Sequence, residues 1–268
     1  MCKFSQFFPK IKKLNFRERK FMQKFLFASL VGAMLTCSSV EAKPQSIIVG
    51  TEPAFAPFEY INEKSGKLEG FDIDIMEAIC KSQSVEVKWQ SMQFDGIIPG
   101  VITGTIDAAI SGIVKNAERA KRVDFSPEYF VVGQSIMIRE DKASEIHDFA
   151  SLANHSICVQ IGTVGADKAA ATPGAKVITF NSAPEAYLEL DKGGCDAVIT
   201  GRTVHQFYLA QSHKENFKLL DEIYEAQGLG IAMNKNNTEV QELINQGLED
   251  IKANGEYQRI VDKWFKAK

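Results

Sequence analysis

Apolar positions in the first half of the chain change repeatedly between two spacings. Short apolar or alternating runs predict strands at 47–50, 85–89 and 106–111, and the first of these ends in a glycine turn. Between and after them, apolar residues recur every three or four positions, which predicts helices at 71–81, 94–102 and 118–122. Strands that alternate with helices are typical of parallel sheets with crossover helices.

The same order of elements restarts in the second half. Strands are predicted at 157–160, 176–180 and 197–200, with helices at 166–171 and 183–190. Both halves also place a glycine and Asp-Ala at the start of an apolar strand, in GTIDA (104–108) and GCDA (194–197). This echo predicts two similarly built α/β lobes. For Asp107 and Asp196 we expect a polar cap where a strand begins, rather than contact with a ligand.

The first 42 residues have the pattern of a signal peptide. They carry eight Lys and Arg against two Glu, and an apolar segment of twelve residues, 25–36. That segment is too short to span a bilayer. Val40 and Ala42 are small residues at the −3 and −1 positions, so we predict cleavage before Lys43 and export as a soluble periplasmic protein. Two alternatives stay open: lipidation of Cys37, and a translation start at Met22 instead of Met1.

Without this leader the chain is acidic, with 23 Lys and Arg against 32 Asp and Glu and a net charge of −9. That charge argues against nucleic acid and anionic membranes as partners. Cys80, Cys158 and Cys195 are widely spaced and odd in number, so we expect small buried side chains and no disulfide. The cysteines have no neighbouring His or Cys, and the four histidines are scattered, so no metal site is expected.

Three segments carry a resemblance to a known family: GTEPAFAPFEY (50–60), GFDIDI (70–75) and the stretch 94–130, from FDGIIPG to FSPEYF. Together they resemble the amino-acid-binding family of periplasmic solute-binding proteins, which deliver ligands to ABC importers. The resemblance covers essentially everything after residue 45. It implies a binding protein that is not an enzyme, acts as a monomer without cofactors, and has a small amino acid and a membrane permease as its partners.

The fold that this resemblance implies is the type II periplasmic-binding fold. It has two α/β lobes joined by two crossover strands, for which the extended runs 131–138 and 228–233 are the candidates. Helical patterns at 238–253 and 255–264 would return to the first lobe. The predicted lobes are 43–133 with 228–268, and 134–227. The ligand would lie in the cleft between them, which closes by a hinge.

Arg119 is the first candidate for a ligand contact. It lies just inside a predicted helix for which Asn116 is the expected N-cap. A guanidinium matches a carboxylate bidentately, and the resemblance implies that Arg119 binds the α-carboxylate of the ligand. Phe55 and Phe94 resemble the two aromatic residues that enclose the ligand side chain in this family, whereas Phe58 and Phe71 are expected in the core.

Five further residues complete the predicted site. Glu52 stands where relatives carry an acid near cationic side-chain groups, which would favour arginine, lysine or ornithine. Ser111 and Gly112 end a strand, and Gly112 lets its carbonyl approach an ammonium closely. Across the cleft, Thr163 and the backbone of Val164 follow a glycine turn whose free N–H groups attract anions.

Three positions differ from the usual polar set of the family. Val114 and Val164 stand where hydroxyl groups are common, and Gly201 stands where an aspartate usually pairs with the α-ammonium. An unpaired buried ammonium costs several kcal/mol. Either Glu52 or a shifted acid compensates, or the ligand lacks the ammonium, or the correspondence slips by one residue near Arg202.

Two other functions compete with amino-acid binding, besides the binding of a carboxylate without an amino group. One is a cyclohexadienyl-dehydratase-like enzyme on the same fold, which needs a general acid in the cleft. Gly201 offers none, so Glu52 would have to serve alone. The other is the sensor domain of a receptor, which is disfavoured because no membrane segment follows residue 264.

Overall fold

The structure, a computed structural model, describes residues 44–266, so the predicted signal peptide, Cys37 and Met22 lie outside the described residues. In chain order the strands are β1 (Ser46–Thr51), β2 (Ala54–Phe55), β3 (Glu59–Ile61), β4 (Leu68–Glu69), β5 (Glu86–Ser91), β6 (Ala108–Ala109), β7 (Asp124–Phe125), β8 (Phe130–Arg139), β9 (Ser156–Gln160), β10 (Lys176–Phe180), β11 (Ala197–Gly201), β12 (Phe217–Leu219), β13 (Tyr224–Leu229) and β14 (Ala232–Met233).

The helices are α1 (Phe71–Ser82), α2 (Phe94–Thr103), α3 (Ala117–Ala120), α4 (Val164–Ala170), α5 (Ala183–Lys192), α6 (Arg202–Ser212), α7 (Thr238–Ala253) and α8 (Glu256–Phe265). Short 3-10 turns occupy Glu140–Lys142 and Ala150–Leu152. Within residues 44–266, no helix combines the length and apolarity that crossing a membrane requires.

The first lobe is built on a five-stranded sheet with the order β5-β1-β6-β14-β7. Strand β1 pairs in parallel with β5 and β6, and β14 runs antiparallel to β6 and β7. Apolar side chains of α1 and α7, such as Ile79 and Leu248, pack on one side, and Ile97 and Val101 of α2 belong to a second core cluster. Both faces of the sheet are therefore covered, as crossover helices require.

The second lobe is built on a six-stranded sheet with the order β10-β9-β11-β8-β12, in which β13 also pairs with β8. Strands β9, β10 and β11 are parallel, whereas β8 runs antiparallel to β11, β12 and β13. Ala169 of α4 lies in one core cluster and Leu190 of α5 in another. The α/β fold class predicted from the alternating pattern is confirmed.

The two Asp-Ala motifs do the same structural task in the two lobes. Asp107 Oδ2 accepts a hydrogen bond from the Ile48 N–H at 2.7 Å, and Asp196 Oδ2 accepts one from the Ser156 N–H at 2.9 Å. In each case the carboxylate of the residue before one strand binds a backbone N–H of the parallel neighbouring strand. The predicted capping role of both aspartates is confirmed.

The chain crosses between the sheets through β8 and β13, which run side by side. Leu229 of β13 lies opposite Phe130 of β8, and β14, which follows β13, returns to the first sheet. Helices α7 and α8 then pack on the first lobe, where Trp264 Nε1 donates to Asp74 Oδ2 at 2.7 Å.

A disulfide joins Cys158 and Cys195, which corrects the expectation that every cysteine is free. The two residues are 37 positions apart in the chain, but β9 and β11 are parallel neighbours with Val198 opposite Cys158. This register brings the turn before β11 next to β9, with the two Cα atoms 6.0 Å apart. Cys80 is a free, buried thiol, as expected.

Candidate functional site

A pocket lies where loops of the two lobes meet. The first lobe contributes the β2 and α2 ends and the segment around α3, and the second lobe contributes β8, β11 and the turn between β9 and α4. The lining residues are Phe55, Phe58, Phe94, Gly112, Val114, Arg119, Val132, Gln134, Gln160, Thr163, Val164, Thr200, Gly201 and Leu229. A pocket at the carboxyl ends of parallel strands is the usual place for ligands in such sheets.

Arg119 supplies the one charged side chain among these lining residues. Its backbone N–H is bonded by the Asn116 side chain at 2.9 Å, which confirms the predicted N-cap of α3. The guanidinium donates from Nη1 to the Val114 carbonyl at 2.7 Å and from Nη2 to the Gly162 carbonyl at 2.9 Å. Burial lowers the pKa of Arg119, but a guanidinium stays charged at neutral pH. Because Gly162 belongs to the second lobe, Arg119 joins the two lobes.

Phe55 and Phe94 are half-buried walls of the pocket. The Arg119 guanidinium carbon lies 5.5 Å from the centre of the Phe94 ring, which favours the cation. The Phe55 ring lies over Gly112, so that a Cβ at residue 112 would come within 2.8 Å of Phe55 Cε1. Gly112 also has a φ of +55°, a conformation that glycine adopts readily.

The turn at the start of α4 forms the opposite wall. Thr163 is the N-cap of α4: its Oγ1 accepts from the Ala166 N–H at 3.1 Å and donates to the Gln160 carbonyl at 2.8 Å. Its hydroxyl proton is therefore committed within the turn. Val164 contributes an apolar side chain that packs against the core cluster of the first lobe.

Glu52 and Ser111 lie behind the pocket wall. The Ser111 hydroxyl accepts a hydrogen bond from the Glu52 N–H at 3.0 Å, and Glu52 Oε2 accepts one from Gln160 Nε2 of the second lobe at 3.2 Å. Glu52 is 4% exposed. Burial, opposed by the Gln160 bond and assisted by the charge of Glu185, raises the pKa of Glu52 to about 7. Glu52 also lines a second, more open cavity with Met92, Asn181 and Glu185.

Beneath Ser111 and Gly112 lies a buried pair of carboxyl groups, Glu59 and Asp72. The Ser111 hydroxyl donates to Glu59 Oε1 at 2.9 Å, and Asp72 Oδ2 accepts from the Gly112 N–H at 2.7 Å and from Tyr129 Oη at 2.8 Å. Burial raises the pKa of Asp72 to about 6, and burial together with the Asp72 charge raises the pKa of Glu59 well above its usual value. Asp72 accepts two bonds that favour its ionised form, so we assign the shared proton to Glu59.

Six of the eight residues predicted for the site line the pocket: Phe55, Phe94, Gly112, Arg119, Thr163 and Val164. The other two do not line it. Glu52 is connected to the pocket through Gln160, and Ser111 through its neighbour Gly112. All three departures from the expected polar set, Val114, Val164 and Gly201, line the pocket. No Asp or Glu is among the lining residues, and the described part of the chain holds no cluster of side chains that could bind a metal ion.

Sequence reasoning missed several lining residues, and they fall into two kinds. Phe58 is fully buried, as expected for the core, yet one side of it reaches the pocket floor. Gln134 and Thr200 lie on β8 and β11 within apolar strands. The available signal was a polar residue among apolar neighbours: Thr200 in β11, and the adjacent pair Gln134 and Ser135 in β8. Only the sheet register shows which way they face.

Comparison with known proteins decides the family. The model of the bacterial extracellular solute-binding proteins, family 3, matches residues 47–267. The chain belongs to this family. An arginine-binding periplasmic protein of Mannheimia haemolytica is 34% identical over 92% of this chain and 100% of its own length.

Two solved structures are also similar. An ancestral arginine-binding protein bound to arginine is 39% identical, with a TM-score of 0.78 over 82% of this chain and 98% of that chain. An ancestral amino-acid-binding protein described as a precursor of cyclohexadienyl dehydratase is 34% identical, with a TM-score of 0.76 over 83% of this chain and 96% of that chain. The family 3 resemblance and the two-lobed fold predicted from the sequence are confirmed.

Proposed function

We propose that this protein captures a small amino acid, with a basic or polar side chain favoured, and delivers it to the permease of an ABC importer. The observation that carries the proposal is the position of Arg119, a guanidinium at the wall of an interlobe pocket, beside two aromatic rings. An arginine fork in a largely apolar pocket is suited to a carboxylate. The curated relatives named for arginine binding support the same ligand class.

In this proposal Arg119 turns its fork from the Val114 and Gly162 carbonyls to the ligand carboxylate. Phe55 and Phe94 enclose the ligand side chain, and Gly112, Thr163 and Val164 complete the walls. Glu52, reached through Gln160, supplies a negative charge for a cationic side chain. A cation beside Glu52 would lower its pKa from about 7 and keep the carboxylate ionised.

The cellular setting is part of the proposal. We expect residues 1–42 to be removed on export and the mature monomer to act in the periplasm. We propose lobes of 43–133 with 228–268, and of 134–227, with the hinge in β8 and β13. Because Arg119 and Gly162 already meet across the pocket, a ligand would enter when the lobes open at this hinge.

A thermal-shift screen followed by calorimetry tests the function. The panel holds L-arginine, L-lysine, L-ornithine, L-histidine, L-glutamine and simple carboxylates without an amino group. A ligand at about 100 times its Kd should stabilise the protein by roughly 2.7 kcal/mol. Calorimetry then ranks the hits. A panel in which no amino acid raises the melting temperature would contradict the proposal.

An enzyme of the cyclohexadienyl-dehydratase kind is the second candidate, because an ancestral precursor of that enzyme is among the similar structures. The pKa of Glu52, about 7, would suit a general acid, but Glu52 does not line the pocket. We therefore propose that the protein is not an enzyme. Incubation with prephenate or arogenate checks this, since formation of phenylpyruvate or phenylalanine would favour the enzyme.

A further inference from the structure

Gln134 and Gly201 are cross-strand neighbours at the wall of the pocket. They lie opposite each other in the antiparallel pair of β8 and β11, and both line the pocket on the side of the second lobe. Gln134 is only 5% exposed. The side chain is thus largely buried, and it borders the space that a ligand would fill.

The Gln134 carboxamide makes no hydrogen bond with any other residue in the range 44–266. Gln160, the other lining carboxamide, differs, because its Nε2 donates to Glu52 Oε2 and to the Asn181 carbonyl. Gln134 Oε1 and Nε2 are not among the fully buried polar atoms that lack a partner, so they reach the pocket that the residue lines. Polar groups of a largely buried side chain are nearly always paired with protein, water or a ligand. A ligand in the pocket is the partner that remains for Gln134.

Two observations place Gln134 at the carboxylate end of the pocket. Arg119 Nη2 contacts the carbonyl of Gly162, which begins the turn into α4. A Cβ on Gly165, three residues further along, would lie 3.4 Å from Gln134 Oε1. The guanidinium and the carboxamide therefore flank the same turn, so a carboxylate held by Arg119 would present its α-substituent near Gln134.

Gly201 leaves this part of the wall without a charge. Its backbone, with φ of −59° and ψ of 133°, is open to any residue, so the conformation does not require glycine. Space is what limits it, because a Cβ at residue 201 would lie 2.9 Å from Val132 Cγ2. The group facing the α-substituent is consequently a neutral carboxamide and not a carboxylate.

We propose that Gln134 determines specificity at the α-position of the ligand, and that the pocket accepts α-hydroxy carboxylates as well as α-amino acids with the same side chain. A carboxylate would bind an ammonium much more strongly than a neutral hydroxyl group, because only the ammonium adds a charge to the hydrogen bond. A carboxamide both accepts and donates, so it satisfies an ammonium or a hydroxyl group. This inference rests on the proposed function, which supplies the carboxylate on Arg119.

Calorimetry with matched ligands tests the inference. The probes are L-arginine and its α-hydroxy analogue, 2-hydroxy-5-guanidinopentanoic acid of the same configuration. We expect the wild-type protein to prefer the amino form by less than about tenfold, which corresponds to one neutral hydrogen bond or less. Gln134→Leu should weaken both ligands by about five- to twentyfold and leave their ratio unchanged.

Gln134→Glu should raise the preference for the amino form by at least about thirtyfold, since it adds a carboxylate opposite the ammonium. Gln206→Glu, on the exposed face of α6 in the same lobe, is the matched control and should leave the ratio unchanged. Circular dichroism and melting temperature check that each variant folds.

A wild-type preference above about 100-fold for the amino form, or wild-type affinity for L-arginine in Gln134→Leu, would overturn the inference. Failure of the proposed function gives a different result. If the proposed function is wrong, no amino acid of the thermal-shift panel binds. If only the inference is wrong, L-arginine binds but the preferences given above are not observed. If only the α-hydroxy analogue binds, the ligand class of the proposed function is wrong and acceptance of hydroxy acids is supported.

Discussion

Arg119 shows how one side chain takes its role from its surroundings. Lys121 and Arg122, two and three residues later, are exposed cations of the ordinary surface kind. Arg119 is half-buried against Phe94, with its fork held by two carbonyls from different lobes. The N-cap at Asn116 fixes where α3 begins and therefore which of these cations turns toward the pocket.

Arg119→Ala should abolish most ligand binding and leave the fold intact. Loss of the partner of a buried carboxylate costs about 2–5 kcal/mol, or roughly a 30-fold to several-thousand-fold increase in Kd. Isothermal calorimetry with the best ligand of the screen measures it. Arg122→Ala is the matched control, and Arg119→Lys should fall between the two because it keeps the charge and loses the fork. Near-wild-type affinity in Arg119→Ala would remove Arg119 from the site.

Glu52 should make the binding of L-arginine depend on pH. Its pKa of about 7 means that a proton must leave before the carboxylate, behind Gln160, can attract a guanidinium in the pocket. Below that pKa, the Kd should fall by up to about tenfold for each unit that the pH rises, and it should level off above pH 7. The charge of L-arginine itself does not change between pH 5 and pH 8.

Calorimetry from pH 5 to pH 8 measures this dependence. Glu52→Gln should bind more weakly and with a flat profile, whereas Glu86→Gln, exposed on β5, should keep the wild-type slope. A flat wild-type profile would show that the ligand does not pair with Glu52.

At the scale of elements, periodicity located most helices and strands but not the shortest ones. Helix α7 (Thr238–Ala253) has the bounds that the pattern predicts, and α1 (Phe71–Ser82) differs by one residue. The β2-β3-β4 sheet was missed because strands of two or three residues are too short to show an alternating apolar pattern. Helix α6 was missed because its β-branched and aromatic residues, such as Val204 and Phe207, have low helix propensity.

Sheet register explains the remaining failures of sequence reasoning. The pairing of β9 with β11 creates the Cys158–Cys195 bridge, and the pairing of β8 with β11 sets Gln134 opposite Gly201. Both pairings join residues far apart in the chain. Local sequence motifs were enough to predict Arg119, Phe55 and Phe94 as site candidates. The position of Gln134 at the pocket could be recognised only from the three-dimensional pairing of the strands.

The disulfide should contribute measurably to stability. Replacing Cys158 and Cys195 together by alanine should lower the free energy of unfolding by about 3–4 kcal/mol, the entropy of closing a loop of this length in the unfolded chain. Guanidinium denaturation with and without reductant measures it. Reductant should destabilise the wild type and Cys80→Ala but leave the double variant unchanged. Three free thiols in the unreduced, unfolded protein would contradict the bridge.

At the scale of the whole molecule, the buried pair Glu59 and Asp72 links stability to pH. Both carboxyl groups have a raised pKa in the folded chain, about 6 for Asp72 and higher for Glu59. The two groups contribute fully to the free energy of unfolding below their unfolded pKa of about 4. This contribution is lost as the pH rises through their pKa values in the folded chain. The free energy of unfolding should therefore decline between pH 5 and pH 8 on account of this pair.

Glu59→Gln should make that decline smaller, because glutamine imitates the protonated acid and still accepts from Ser111. The variant should match the wild type near pH 5 and exceed its stability at pH 8. Chemical denaturation at four pH values measures the effect, with Glu86→Gln as the exposed control. If the free energy of unfolding had the same pH dependence in Glu59→Gln and the wild type, Glu59 would hold no more proton in the folded chain than in the unfolded chain.

The bonds from Arg119 to Val114 and Gly162 have a consequence for selectivity. These two carbonyl groups compete with a ligand for the same guanidinium N–H groups. A molecule that binds Arg119 must therefore replace both intramolecular hydrogen bonds. A carboxylate offers two charged oxygens in exchange for two neutral carbonyls and gains by the exchange. An ester or a primary amide offers one neutral oxygen and leaves one N–H of the fork without an acceptor. Free acids therefore bind in exchange for these two bonds, whereas their capped derivatives do not.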